Sequence, residues 1–423
     1  MAKMLAMITN FDDIPDAALA PEAERPYDIP AHWKWVRLGN LITLLSGRDA
    51  ALTRCNDQGR GIPYVMGASN FDEDGLRIER WIEEPEVVSP RGAVLVTVKG
   101  TVGKLHIQED DKLNLSRQVM AMVPGPCLAS TYLYHFISTH ISRLESAAVG
   151  LIPGISRSDI LGIAIPLPPL GEQERIVRRV EQANAKIDDA IERLRQHLEQ
   201  APNLRAKFIQ AGVTGRLTPS RRGEQNLSVG SWRRTTVGEL GTVVTGNTPP
   251  TKAKENYGDF LPFVKPADLN QGRRINLADS SLSETGAKLA RVVPPGSVAM
   301  CCIGASITKA GLIDVEAATN QQINVLVPST DHDSVFLFYL FESPQFKHEV
   351  IASSSSTTLP IINKGRFSKL EVEVPELLEQ QEIARILDKT LGEFDQTVEL
   401  IESTIAKLLL LRSHYVLSAL AGN

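Results

Sequence analysis

The sequence predicts an α+β protein in which two repeated globular α/β domains are joined by two long antiparallel helices that form a coiled-coil-like spacer. Three observations predict this fold. An internal repeat runs through most of the 423 residues, each copy contains short apolar runs of strand length, and each copy ends in a long helical seam. At roughly 100–200 residues per domain, the length allows two to four domains.

The repeat consists of matching residues that keep their order at a slowly growing offset. The matches are Trp33 with Trp232 and Ser46-Gly47 with Thr245-Gly246 at an offset of 199, Gln118–Pro124 with Gln322–Pro328 at 204, and Glu172-Gln173 with Glu379-Gln380 at 207. Short loop insertions explain the growth of the offset, whereas chance similarity would not keep the order. The chain therefore contains two copies of one unit.

Each copy begins with a mixed strand and helix pattern, which predicts globular domains at residues 27–168 and 230–375. Residues 1–26 form an N-terminal extension without a counterpart in the second copy. Short apolar runs bounded by proline or glycine are typical of buried strands. They predict strands at Val94–Val98, Val119–Val123, Ser297–Ile303 and Ile323–Val327. Helical spacing predicts one helix at Tyr132–Ser146 and one at Ser334–Ala352.

Each copy ends in a long predicted helix, at residues 169–218 and 376–421. Apolar residues recur there in steps of three and four, the spacing of a coiled-coil seam. The residues predicted to pack the helix pair are Ile176, Val180, Ile187, Ile191, Leu194, Leu198, Ile383, Leu387, Phe394, Val398, Ile401, Ile405 and Leu408. Pro202 removes a backbone donor and clashes with the preceding turn, so it predicts a kink or a break in the first helix.

Charge supports pairing of the two helices. Residues 170–222 carry a net charge of +4 and residues 376–423 a net charge of −4. Matched apolar seams of opposite charge favour antiparallel packing of one helix on the other. The alternative is two separate surface helices, each packed on its own domain.

The overall composition excludes some classes of protein. With 45 basic and 50 acidic residues the net charge is −5 and the pI about 6.0. This excludes nucleic-acid binding through bulk positive charge but leaves room for a local basic face. Four cysteines in a chain of this length fit a reducing compartment. We see no signal peptide and no membrane span, which predicts a cytoplasmic protein without membrane contact.

Catalytic motifs are not apparent. Asn247-Thr248-Pro249-Pro250 contains the residue types of an amino-methyltransferase loop, but in the wrong order. Gly100–Lys104 is too short for a phosphate loop, so a hairpin turn is favoured for this segment. The histidines form no HExxH motif, and the adjacent Cys301-Cys302 are predicted to be core thiols. We therefore assign no catalytic, cofactor-binding or metal-binding residues and predict a chain that is not itself an enzyme.

The junction between domain and helix carries a family resemblance. Ile165-Pro166-Leu167-Pro168-Pro169-Leu170-Gly171-Glu172-Gln173-Glu174-Arg175-Ile176 leads into the first helix, and Val372-Glu373-Val374-Pro375-Glu376-Leu377-Leu378-Glu379-Gln380-Gln381-Glu382-Ile383 leads into the second. Two such junctions in this order resemble the specificity subunit of type I restriction–modification systems. The resemblance covers about residues 27–423. The second copy departs from the pattern at Pro375-Glu376, which replaces the proline pair.

The resemblance implies two target-recognition domains, each reading one half of a bipartite, asymmetric DNA sequence. The helix pair would set the half-site spacing and dock two modification (methyltransferase) subunits. Implied partners are double-stranded DNA, these two subunits and the restriction/translocase subunits of the full complex. S-adenosylmethionine would be bound by the methyltransferase subunit, and no cofactor is expected in this chain.

Polar loop residues at equivalent places in the two copies are the predicted DNA contacts. Arg or Lys on guanine and Asn or Gln on adenine are efficient base contacts, while Ser, Thr and Lys serve phosphates. The candidates in the first domain are Ser46, Arg48, Lys99, Thr101, Lys104, Ser116, Arg117 and Gln118. Those in the second are Thr245, Asn247, Lys252, Lys254, Lys265, Ser306, Thr308, Lys309, Asn320, Gln321 and Gln322.

Two other functions remain open at this point. One is a self-contained DNA methyltransferase with a recognition module, which requires cofactor and catalytic motifs that the sequence does not display. The other is a structural adaptor that does not bind DNA and whose duplicated domains bind proteins.

Overall fold

A computed structural model describes residues 7–72, 75–147, 154–218, 232–270, 272–273, 275, 280–355 and 359–422. The chain divides into two compact units, one of Met1–Arg193 with Thr404–Asn423 and the other of Leu194–Ser403. Each unit therefore combines one globular domain with parts of both long helices.

The described residues of the first unit form a four-stranded sheet, a five-stranded sheet, two two-stranded sheets, three short helices and parts of both long helices. Its strands are β1 (Lys34–Arg37), β2 (Ile42–Ser46), β3 (Cys55–Asn56), β4 (Ile62–Val65), β5 (Phe71–Asp72), β6 (Gly75–Leu76), β7 (Trp81–Ile82), β8 (Val88–Pro90), β9 (Val94–Thr97), β10 (Leu105–Ile107), β11 (Lys112–Leu115), β12 (Val119–Pro124) and β13 (Ala164–Leu167). Its helices are α1 (Ser130–Ser138), α2 (Ile141–Ala147), α3 (Arg157–Leu161), the first part of the long helix α4 (Leu170–Val213) and the end of the second long helix. The strand orders of the four sheets are β10-β9-β12-β2, β3-β7-β4-β11-β8, β1-β13 and β5-β6.

Strand β9 shows why an apolar run forms the centre of this domain. Successive side chains of a strand point to opposite faces. Val94 and Val96 accordingly pack in the core that contains α1, whereas Leu95 packs in the core between the two larger sheets. A strand that is covered on both faces needs apolar residues at every position, which is what Val94–Thr97 nearly provides.

The second unit repeats this topology. Its strands are β14 (Arg233–Thr236), β15 (Gly241–Thr245), β16 (Tyr257–Val264), β17 (Ser281–Leu282), β18 (Val292–Val293), β19 (Ser297–Cys301), β20 (Ala310–Ile313), β21 (Ala317–Thr319), β22 (Ile323–Pro328) and β23 (Glu371–Val374). Its helices are α5 (Glu284–Leu289), α6 (Ser334–Glu342), α7 (Pro344–Ala352), α8 (Lys364–Ser368) and α9 (Leu377–Leu420) together with the end of α4. The order β20-β19-β22-β15 corresponds strand for strand to β10-β9-β12-β2, and the parallel pair β16/β21 corresponds to β4/β11. The predicted internal repeat is confirmed.

The helical stretches predicted at Tyr132–Ser146, after β12, and at Ser334–Ala352, after β22, are helical, but each is divided into two helices. In the second domain Ser343 accepts a hydrogen bond from the Phe346 N–H, and Pro344 occupies the first turn of α7. Proline suits that position because a backbone donor there has no partner in the helix. In the first domain α1 ends at Ser138, and Thr139 Oγ1 donates to the carbonyl of Phe136 at 2.7 Å.

The described part of the N-terminal extension, residues 7–26, packs against the first domain. Ile8 and Ile14 are buried in its core. The Ala20 N–H donates to the Trp35 carbonyl at 2.9 Å, and Leu19 forms an antiparallel bridge to Val36. The extension thus covers the edge of β1, a structural role that the sequence did not indicate.

The two long helices, α4 and α9, pack antiparallel in each unit. In the first unit Asp188 pairs with Arg412 at 2.8 Å, and the start of α4 and the end of α9 share one core through Val180 and Leu420. In the second unit Arg205 pairs with Asp395 at 2.6 Å. As residue numbers rise along α4 they fall along α9, so the two helices run in opposite directions.

The predicted seam residues lie on the covered side of this pair. Ile176, Val180, Ile191, Ile383 and Leu387 are buried, and Ile187, Leu194, Leu198, Phe394, Val398, Ile401, Ile405 and Leu408 are half-buried. Helix α4 continues through the exposed Pro202, so the predicted break does not occur. Within the described ranges, no helix combines the length and the apolar character needed to cross a membrane.

Candidate nucleic-acid interface

Four strand ends of the first domain meet at one edge of the sheet β10-β9-β12-β2. Because neighbouring strands are antiparallel, the ends of β2 and β9 lie beside the starts of β12 and β10. The loops at this edge, residues 46–49, 98–104 and 116–118, are named the first rim. Backbone hydrogen bonds connect them, from the Gly47 N–H to Val119 O at 3.1 Å and from the Val98 N–H to Gln118 O at 2.8 Å. The three predicted groups of the first domain are therefore neighbours.

Two of the predicted contacts hold the first rim together. Ser116 is buried, and its Oγ donates to the Met66 carbonyl at 2.5 Å. Lys104 Nζ donates to the Phe71 carbonyl at 2.8 Å. These polar groups fix the loop after β4 against the rim, so they are less available to a ligand than sequence position suggested.

The remaining predicted contacts of the first rim, apart from Ser46, are exposed: Arg48, Lys99, Thr101, Arg117 and Gln118. Arg117 Nε pairs with Asp49 at 2.7 Å. Exposed ion pairs contribute little free energy, so this pair can open toward a phosphate. In the part of the chain that the structure describes, no carboxylate pairs with Arg48 or Lys99. The first rim therefore presents cationic side chains.

The second domain forms an equivalent second rim from residues 245–248, 302–309 and 320–322. The Gly246 N–H donates to Ile323 O at 3.0 Å, and the Cys302 N–H donates to Gln322 O at 2.8 Å. These bonds match those of Gly47 and Val98 in the first rim. In both domains, three loops that are distant in sequence thus meet at the equivalent edge of the equivalent sheet.

Amide side chains dominate the second rim. Asn320 Nδ2 donates to Gln322 Oε1 at 2.9 Å, and the exposed Gln321 accepts from Thr248. Asn247 is occupied by protein groups, because its Nδ2 donates to the Leu289 carbonyl at 2.8 Å. The second rim therefore differs from the first in chemistry while sharing its backbone plan.

Three further side chains of the second rim are half-buried: Ser306, Thr308 and Lys309. Thr245 Oγ1 donates to Asn324 at 2.6 Å. Lys265 joins the rim because the Asn320 N–H donates to Val264 O, directly before it, at 3.1 Å. Lys252 and Lys254 lie before Tyr257, the first residue of β16, whereas the rim lies at the other end of this strand, beside Val264. The structure therefore does not bring these two lysines to the rim.

Two arginines at the rims were missed in the sequence. Arg157 Nη1 donates to Ser46 Oγ at 2.8 Å, and Arg291 Nη1 donates to the Thr245 carbonyl at 2.8 Å. Arg157 reaches the end of β2, and Arg291 reaches the end of β15, each from a distant segment of the sequence. The repeat gives one signal that could have found Arg157. It directly follows the N-cap residue of α3, and the exposed Lys364 directly follows the N-cap residue of α8, so both domains place a basic residue at the same position.

The repeated Glu-Gln pair connects each domain to its long helix. Gln173 is fully buried, its Nε2 donates to the Pro168 carbonyl at 2.8 Å, and its Oε1 accepts from the Ala129 N–H at 2.9 Å. Gln380 makes the same bonds to Pro375 O and the Asp333 N–H, at 2.8 and 2.9 Å. The motif therefore fixes the start of α4 against the start of α1, and the start of α9 against the start of α6.

We expect Gln173→Ala to lower the free energy of unfolding by roughly 2–4 kcal/mol, because it leaves buried backbone donors and acceptors without partners. Urea denaturation measures this change. Gln182→Ala, at an exposed position of the same helix, is the matched control and should change stability by less than about 0.5 kcal/mol. Equal stability of the two variants would contradict the role assigned to Gln173.

Two features of the described residues bear on metal binding and on the cysteine pair noted in the sequence. Among these residues, no three His, Cys, Asp or Glu side chains are grouped so that they could hold a metal ion. Cys301 and Cys302 are free and buried. Burial raises the pKa of the Cys302 thiol to about 12, which opposes formation of the thiolate nucleophile.

Comparisons with known proteins place this architecture in a family. The family described as "Type I restriction modification DNA specificity domain" matches residues 30–200 and 230–410. The HindI specificity subunit of Haemophilus influenzae is 30% identical over 179 residues, which are 40% of this chain and 39% of that subunit. The alignment thus spans about two fifths of that relative. The StySPI specificity subunit of Salmonella potsdam is 22% identical over 418 residues, covering 93% of this chain and 89% of the relative.

A solved structure shares the fold. The HsdS subunit from Thermoanaerobacter tengcongensis matches with a TM-score of 0.63 and 21% identity, over 95% of this chain and 99% of that one. A chain from the type I R-M system matches with a TM-score of 0.67 and 21% identity, over 93% and 99%. Because the two matched segments cover most of the sequence, the chain belongs to the type I restriction–modification DNA specificity family.

Proposed function

We propose that the chain is the DNA sequence-specificity subunit of a type I restriction–modification complex. Each domain reads one half of a bipartite DNA target through its rim. The observation that carries this proposal is the pair of rims, in which three loops gather polar side chains at the same sheet edge of two repeated domains. A shared backbone plan suits a shared ligand, and different side chains suit different base sequences.

The side chains of the two rims favour an asymmetric target. Arg48 and Lys99 of the first rim suit guanine edges or phosphates, whereas Gln321 of the second rim suits adenine. The helix pair α4/α9 sets the distance between the half-sites. A paired, stiff helix can hold such a distance, which a flexible linker cannot do.

Partner subunits supply the chemistry and part of the affinity. Residues 1–169 carry a net charge of −4 and residues 223–375 a net charge of −1, so this chain alone neutralises few phosphates. Two modification subunits, which hold S-adenosylmethionine, dock on the chain and methylate the DNA, and restriction/translocase subunits complete the complex. The chain itself is non-catalytic. Methyl transfer by the purified chain alone would instead support a self-contained methyltransferase.

Exchange of one domain tests the proposal. The chain is expressed with its modification subunits, and methylome sequencing identifies the methylated target. Replacing residues 30–168 with the first domain of another family member should change one half-site completely and leave the other half-site unchanged. A protein-binding adaptor predicts that the methylated sequence does not change, and that result would overturn the proposal.

A further inference from the structure

Thr308 has an unusual backbone conformation in the hairpin between β19 and β20. Its φ is 74°, and it is the one non-glycine residue with positive φ in the described part of the chain. A β-branched side chain disfavours this left-handed region. The chain therefore has threonine at a position where glycine would be less strained.

The first domain places a glycine at the equivalent position. The Gly103 N–H donates to Thr97 O at 2.9 Å, as the Thr308 N–H donates to Cys301 O at 3.0 Å, and Gly103 also has a positive φ, of 91°. A Cβ on Gly103 would lie 2.7 Å from Ile141 Cγ2. The first domain thus excludes a side chain here, while the second domain accommodates one.

The space beside Thr308 is a surface cavity of about 180 Å³. Thr308, Lys309, Glu342 and Lys347 line it. Lys347 Nζ pairs with Glu342 at 2.9 Å. Among the residues that the structure describes, no carboxylate pairs with Lys309, so the cavity carries one uncompensated positive charge beside a hydroxyl.

Lys309 also differs from its counterpart in the first domain. The Thr97 N–H donates to Lys104 O at 3.0 Å, and the Cys301 N–H donates to Lys309 O at 2.8 Å, so the two lysines are equivalent. Lys104 Nζ is held by backbone carbonyls of the first domain. In the described structure, no such bond restrains Lys309.

We propose that Thr308 and Lys309 hold one backbone phosphate of the second half-site in this cavity. The inference rests on the proposed function and adds a contact that only the second domain makes. A hydroxyl and an ammonium group are suitable phosphate ligands. Strained backbone positions cluster at functional sites, and Thr308 lies on the second rim, where DNA would bind. This contact fixes the register of the second domain without reading bases.

Salt-dependent DNA binding tests the site in the complex of the chain with its modification subunits. On the target duplex identified by methylome sequencing, Lys309→Ala should weaken binding roughly five- to tenfold and reduce the slope of log K against log salt by about 1. Lys112→Ala is the control for loss of one charge, because Lys112 is exposed at the start of β11, away from the first rim. It should leave the slope unchanged.

Substitutions of Thr308 separate its hydroxyl from its backbone strain. Thr308→Ser should bind like the wild type, whereas Thr308→Ala should bind several-fold more weakly. Thr308→Gly should weaken binding equally without lowering the unfolding temperature, a combination that a merely structural role does not produce. Thr308→Ala binding as tightly as Thr308→Ser would overturn the assignment of the hydroxyl.

Neutral phosphate analogues locate the contact. Methylphosphonate is placed at each phosphate of the duplex in turn. One position in the second half-site should weaken wild-type binding but not binding by Lys309→Ala. A wild-type complex without a bipartite target would overturn the proposed function and this site with it. A wild-type complex that has such a target, with variants that leave the affinity, the salt slope and the methylphosphonate pattern unchanged, would overturn the phosphate site alone.

Discussion

Gly47→Ala and Gly246→Ala should each abolish recognition of one half-site. A Cβ on Gly47 would lie 2.1 Å from the Ser116 carbonyl oxygen, and a Cβ on Gly246 would lie 2.2 Å from the Asn320 carbonyl oxygen. These atoms belong to backbone, so the loops must move apart. Because the three loops of a rim are joined by backbone bonds, a shift of about 1 Å displaces every DNA contact of that rim and reduces methylation of the target by about 100-fold.

Duplexes with single altered half-sites measure the effect. The complex containing Gly47→Ala should no longer distinguish a correct from an altered first half-site, while it still distinguishes the second, and Gly246→Ala should show the reverse. Gly392→Ala is the control. Among the described residues, no atom other than the local helix backbone lies within 4 Å of a Cβ at this position in α9, and alanine there should stabilise the helix by up to about 1 kcal/mol. Unchanged discrimination by both rim variants would argue against DNA reading at the rims.

The fold could be predicted largely because the sequence contains an internal repeat. Matches such as Ser46-Gly47 with Thr245-Gly246 lie at the same strand end in both domains, so the repeat indicated equivalent sites before any strand pairing was known. The seam spacing indicated the long helices because period 3.5 differs clearly from the alternation of strands. Pro202 misled the prediction, since packing along α4 outweighs the loss of one backbone hydrogen bond there.

The roles of individual site residues could not be predicted in the same way. Ser116 and Lys104 are polar loop residues like Arg48, yet they bond to carbonyls of a loop about 30 to 50 residues away in sequence. Arg157 reaches Ser46 from a segment 111 residues distant. Such partners depend on tertiary packing, which a local pattern does not encode. The sequence therefore indicated which loops matter, and the structure was needed to separate supporting residues from available ones.

Lengthening both long helices by four residues should lengthen the gap between the DNA half-sites by one or two base pairs. The insertions are placed between Asp188 and Arg205 in α4 and between Asp395 and Arg412 in α9. Four helical residues add about 6 Å and a rotation of about 40°, and one to two base pairs add about 3.4–6.8 Å and a rotation in the same sense. Each half-site sequence should stay the same, because both rims are unchanged.

Equal insertions in α4 and α9 are needed because ion pairs join the two helices on both sides of the insertion points. The pairs Asp188–Arg412 and Arg205–Asp395 can both persist only if α4 and α9 grow together. Four residues also unwind a coiled-coil seam only locally. The same insertion in α4 alone should shift one seam against the other, lower stability and abolish methylation. Methylome sequencing reads both the gap and the half-sites for each variant. If the matched insertion changes the half-site sequences and leaves the gap unchanged, the helix pair does not set the spacing, and the distance must be determined by partner subunits.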